Sequence, residues 1–225
     1  MNFHNIYMQQ QMNKLISIAE DIFETVKDIE HGQMDDRIAM IETGKQQMSL
    51  ALTQKDEQSR STAIQIALGN ITVGQKQVYE TLKRKVNEFK PIPKSEFAQF
   101  LKETMHHGYL SKMDDKYNEI VEYYQLYLDS TKLLAAAYAI YGDLQNADRV
   151  FEMAGNRIEE INFKKVQTIE CRHSDVEQLY KNSSDYLIAE KEICLQEAKE
   201  YDCLSIKMTK EDLLEAIDYE RKEEI

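Results

Sequence analysis

Apolar residues recur along this chain at helical spacing, and that pattern organises everything else. Leu15, Ile18, Ile22, Val26 and Ile29 form one stripe, ending near Gly32. Met34, Ile38, Ile41, Met48 and Leu52 form a second, interrupted by Lys45. The polar run 54–60 breaks the register, and Asp56 stands where a carboxylate can accept from the free N–H groups of a first helical turn. Ile64, Leu68, Ile71, Val78, Leu82 and Phe89 continue the pattern, with Gln75 at the odd position. Spacings of three and four residues put each set on one helix face. Two long stripes joined by a short polar link predict an antiparallel αα-hairpin.

Lys90-Pro-Ile-Pro-Lys-Ser is the sharpest punctuation in the chain, since neither Pro91 nor Pro93 can continue a helix and Ser95 can cap the next. From here shorter helices are expected. The first covers 96–107 and is closed by Gly108 as a C′ residue. Ser111 and Asp114 read as a capping box opening a second, with a seam of Met113, Tyr117, Ile120, Tyr124 and Tyr127. Further helices are expected over about 128–141, from 143 to near 180 and over 185–203. The last follows a capping box at Thr209 and Asp212. No segment reads as a strand. The expected fold is therefore all-α, a long antiparallel hairpin (1–90) followed by an array of shorter helices (95–225).

Composition agrees and narrows function. Seven Gly and two Pro in 225 residues are too few for a β-rich protein, and 30% charged residues suit long solvated helices. The formal charge of −12 disfavours a phosphate backbone or an anionic membrane; Lys83, Arg84 and Lys85 are the densest basic cluster and read as solvated helix face. It also argues against a membrane-curving hairpin dimer, which needs a cationic concave face. Thirteen acidic and six basic residues follow position 182, so the C-terminal fifth carries over half the net charge. Cys171, Cys194 and Cys203 are odd in number and lack C-x-x-C spacing, which fits a reducing cytoplasm. The first residues lack the basic and apolar regions of a signal peptide, and the longest apolar run, 133–141, is half of a bilayer span.

Leu134, Ala135, Tyr138, Gly142, Ala147, Phe151 and Ala154 fall at the spacings of one tetratricopeptide repeat, and the segment 134–154 resembles that helical hairpin. Thr131 stands at the usual Trp position and Glu159 at the closing Pro position. One period back, Gly108 with Phe100 and Tyr117 makes a degenerate second unit. The resemblance implies a surface that binds peptides or partner proteins. It covers about a quarter of the chain.

Chemistry-bearing patterns are sparse. Glu103/His106 and Glu170/His173 have the E-x-x-H spacing of di-metal helical bundles. The first pair sits at a helix end, where His106 and His107 complement the helix dipole. His173 continues a seam with Val166, Ile169, Val176 and Tyr180, as a core histidine would. Phosphate-loop, nucleophile-elbow and zinc-protease motifs are missing from the sequence. Tyr117, Tyr124, Tyr127, Tyr138 and Tyr141 lie near one seam, and Tyr123 falls off it.

The reading is a non-catalytic cytoplasmic interaction module, without cofactor or metal. It binds a protein or peptide in a groove lined by Tyr123, Tyr127, Tyr138 and Asn146. Self-assembly as a homo-oligomer through the N-terminal stripes is also expected. A structural coiled-coil bundle, a di-metal enzyme and a ligand-responsive regulator are the rivals.

Overall fold

The computed structural model describes residues 35–170, 172, 173, 187, 188 and 191. All belong to one compact unit, Met1–Leu195; the second unit, Gln196–Ile225, lies outside the described residues. So do the stripe from Leu15 to Ile29, Gly32, the break at 182–185, the box at Thr209 and the three cysteines. The described residues form five α-helices and one 3-10 helix, with no strand among them: α1 (Asp35–Thr53), α2 (Glu57–Glu88), α3 (Glu96–Met105), α4 (Tyr109–Tyr141), α5 (Leu144–Glu159) and the 3-10 helix Phe163–Ile169. The fold is all-α.

Asp56 caps α2 as its position suggests, its carboxylate accepting from the Ser59 N–H at 2.8 Å. The link from Gln54 to Asp56 turns the chain, and α1 and α2 lie antiparallel. Ile41, Met48, Ala51 and Leu52 are buried against Ile64, Ala67, Leu68 and Ile71. α2 ends at Phe89, whose backbone is already extended ahead of Lys90 and Pro91.

α2 and α4 are antiparallel along nearly their whole lengths. Gln65 meets Tyr141, Gln75 meets Thr131, Tyr79 stacks near Tyr127 and Lys85 pairs with Glu119. α4 then turns at Gly142, in the left-handed region at φ 87°, and α5 returns along it with Asp143 as N-cap. One hydrophobic core runs through α1, α2, α4, α5 and the 3-10 helix, continuous across the proline link. α3 contributes nothing to it.

Four expected boundaries are corrected. The helix predicted to open at Ser111 begins at Tyr109, because Glu103 of the preceding helix already accepts from the Gly108 and Leu110 N–H groups, at 2.8 and 2.9 Å. Asp114, the expected second half of the box, is instead held by Arg172. Gly108 keeps its left-handed backbone (φ 75°) but follows a C-cap at His106, one residue further out than predicted.

The expected break near Leu128 does not exist, and α4, at 33 residues, is longer than any other described helix. From Leu126 to Thr131 every residue is buried, so apolar stripes on several faces overlap and the period disappears. The helix expected to run from 143 to near 180 stops at Glu159. Asn162 then accepts from the Lys164 N–H at 3.2 Å and opens the 3-10 turn.

Candidate functional site

The four residues expected to line a groove occupy different settings. Tyr123 is 5% exposed and Tyr127 fully buried, so both belong to the core. Tyr123, placed off the seam by sequence, lies under Lys85, whose ammonium sits 5.3 Å from the ring centroid. Tyr127 stands with its ring centroid 5.6 Å from that of Tyr79, and burial pushes its phenol up to about 12. Tyr138 and Asn146 are half-buried at the α4–α5 turn, away from the other two along α4. The Tyr138 carbonyl accepts from the Asp143 N–H at 2.9 Å, and the Asn146 amide donates to the Asp143 carboxylate at 2.6 Å. Both therefore fasten the turn.

The residues of the TPR resemblance sit around that turn. Leu134, Ala135, Ala147, Phe151 and Ala154 are buried, and small side chains let α4 and α5 approach.

Neither E-x-x-H pair brings its two residues together as ligands. Glu103 caps α4, and the amide N–H groups of Leu110 and Gly108 hold its carboxyl below the usual range. His106 is exposed at the C-cap of α3, and Glu170 is exposed beyond the 3-10 helix. Among the described residues no three His, Cys, Asp or Glu side chains converge as metal ligands. His173 stacks on Tyr117 at 4.4 Å and its Nε2 lies 3.0 Å from Asp114.

Asp114 also accepts from two Arg172 nitrogens, at 2.9 and 2.5 Å, and these bonds, with His173, hold its carboxyl below the ordinary range. The depressed value makes the cluster's contribution present above pH ~3.9, the unfolded value, and lost as pH falls through the folded one. Partial exposure of Arg172 screens the pair, so Asp114→Asn should cost about 1 kcal/mol at pH 7. Urea melts should show the gap to the parent closing as pH falls below the ordinary carboxylate range. A gap that stays unchanged as the carboxyl is protonated would mean the ion pair contributes nothing.

A feature missed by the sequence pattern is the orientation of α3. Phe97, Phe100, Leu101 and Met105 are 71, 68, 43 and 70% exposed. Their spacing puts them on one face, and it faces solvent. The polar side of the helix is turned inward and fastened: Gln99 donates to the Pro93 carbonyl at 2.8 Å, Lys102 lies over the Tyr109 ring at 5.0 Å, and Glu103 caps α4. The helix is amphipathic but inverted, its apolar face left outside the core.

A second surface feature lies on α5. Phe151, Gly155, Leu187 and Ile188 line a groove of about 300 Å³, with Glu152, Asn156, Glu159 and Lys191 along it. A shallower pocket of about 410 Å³ follows where α5 gives way to the 3-10 helix, between Ile158 and Gln167. No helix among the described residues is long and apolar enough to cross a membrane. Comparison with protein-family models, with curated proteins and with solved structures returns no match.

Proposed function

We propose that this chain is a non-catalytic interaction module of the cytoplasm, a scaffold or adaptor that binds other protein through its helical surface. The outward apolar face of α3 carries this reading. Four large apolar side chains on one exposed face cost free energy in water, and contiguous patches of that kind mark protein contact sites. The spacing of Phe97, Phe100, Leu101 and Met105 suits a helix laid in a partner's groove, where side chains at i, i+3, i+4 and a further turn act as anchors. The TPR-like packing of α4 and α5 supports the same class of function, with the α5 groove as its receptor surface.

The test is a photo-crosslinking amino acid placed at Phe100 or at the exposed Gln77, in the whole chain and in its native cells. Discrete heavier adducts are expected from position 100, weakened by adding Phe97→Ser, and none from position 77. Position 100 labelling no more than position 77 would sink the reading.

A further inference from the structure

The two surface features of this chain complement each other. α3 presents a ten-residue apolar ridge about 15 Å long. The groove on α5 runs from Phe151 to Glu159, about 12 Å of helix, lined in part by apolar side chains. Their charges are opposite. Around α3, from position 90 to 112, four lysines (Lys90, Lys94, Lys102, Lys112) stand against two glutamates, within a chain of net −12. Lys90, Lys94 and Lys112 are exposed, whereas Lys102 is turned to Tyr109 and Glu103 is engaged in capping α4. Along the α5 groove stand Glu152 and Glu159, and Lys191, the one lysine among its described lining residues, is paired with Asp148 at 2.6 Å.

Gly155 opens onto the groove, and a Cβ built on it would meet no atom of the described residues within 4 Å. An aromatic ring from outside can therefore approach the α5 backbone there.

Within one molecule the ridge cannot reach the groove. α3 is pinned beside the first turn of α4, at Gly108 and Leu110. α5 packs on the far half of α4, with Tyr79 bridging the level of Tyr127 to Arg157. About 17 residues of α4 separate the two levels, roughly 25 Å.

We propose that α3 of one molecule seats Phe97, Phe100, Leu101 and Met105 in the α5 groove of a second copy, in a head-to-tail contact. This rests on the reading of α3 as a docking face and names its occupant. Because ridge and groove are different surfaces, the contact is heterologous, and each added copy leaves one ridge and one groove open. Assembly then grows with concentration into rings or short chains. Four anchors on a ten-residue helix make a small interface, below the ~1,200 Å² of stable complexes, so association is expected at micromolar concentrations.

Light scattering and sedimentation of the full purified chain test this. The parent should rise above the 26.4 kDa of one chain as concentration increases. Phe100→Asp spoils the ridge, and Gly155→Leu fills the groove while favouring the helix. Each alone should stay at one chain. Mixed in equal amounts, they retain one sound ridge and one sound groove between them, and should form a two-chain species and nothing larger. Phe97→Ser and Glu152→Lys, both on exposed positions, repeat the two halves with variants that leave the core untouched. A parent that stays at one chain throughout, a Gly155→Leu chain that assembles like the parent, or a mixture that stays at one chain or grows past two would each overturn the proposal. Crosslinks from Phe100 to a different protein, with the parent at one chain, would overturn self-docking while leaving α3 as an interaction face. Crosslinks to lipid would remove both.

Discussion

Replacing Gly44 with Val or Leu should unfold the α1–α2 hairpin. Gly44 is buried where α1 crosses α2. A Cβ there would sit 2.5 Å from Ile71 Cγ1, 3.0 Å from the Ala67 carbonyl oxygen and 3.1 Å from the Ile71 N. Ile71 is branched at Cβ and buried, so its χ1 cannot swing away, and the two backbone atoms belong to a helix that yields only as a whole. Even Gly44→Ala must push the helices apart. The ~1 kcal/mol that Ala gains in helix propensity opposes this, but overpacking against backbone costs about 1–3 kcal/mol and should win. Val or Leu should cost more than about 3 kcal/mol, a large share of a domain's total stability. Gly69→Ala is the control: on α2, with nothing within 4 Å of its Cβ, it should raise stability by about 0.5–1 kcal/mol. Urea midpoints at constant slope separate the two. A Gly44→Ala chain as stable as the parent would mean that the α1–α2 crossing is looser than described.

Gly44 also shows what the sequence can and cannot reveal. Stripes such as Ile64, Leu68, Ile71 and Val78 were legible because each buried side chain states its own preference, and all of those four are in the core. Asp56, Pro91 and Gly142 were legible because a cap, a missing donor and a left-handed turn are local demands. The importance of Gly44 lies in a side chain it lacks, and only the position of Ile71 gives that lack a meaning. α4 was read as two helices for a related reason. Between Leu126 and Thr131 it is buried on every side, and periodicity exists only where one side stays wet.

The surface of the candidate site was less legible still. Apolar spacing alone assigns Phe97, Phe100, Leu101 and Met105 to a core face, and the hydrogen bonds of Gln99 and Glu103 turn that face outward. Those bonds reach the Pro93 carbonyl and the first amides of α4, which no stripe in the sequence encodes. The α5 groove depends on Leu187 and Ile188, some thirty residues beyond the helix they complete. Tyr123 and Tyr127 were drawn into the expected groove because tyrosine favours interfaces. Both instead lie in the body of α4, under Lys85 and beside Tyr79.

Tyr127 allows the core and recognition roles of these tyrosines to be separated in one residue. Its ring is fully buried, and its hydroxyl faces the Arg157 side chain without a hydrogen bond of good geometry. Removing the ring with Tyr127→Ala opens a cavity between α2 and α4 and should cost about 3–5 kcal/mol. Removing only the hydroxyl with Tyr127→Phe leaves the packing with Tyr79 intact and deletes a buried polar atom whose contact with Arg157 is weak. It should therefore change stability by no more than about 1 kcal/mol. Crosslinking from position 100 should be the same in Tyr127→Phe as in the parent, since the hydroxyl takes no part in the α3 surface. If Tyr127→Phe instead lowers stability by as much as Tyr127→Ala, the hydroxyl is bonded within the core. If it abolishes crosslinking while stability holds, Tyr127 belongs to a recognition site that α3 alone does not describe.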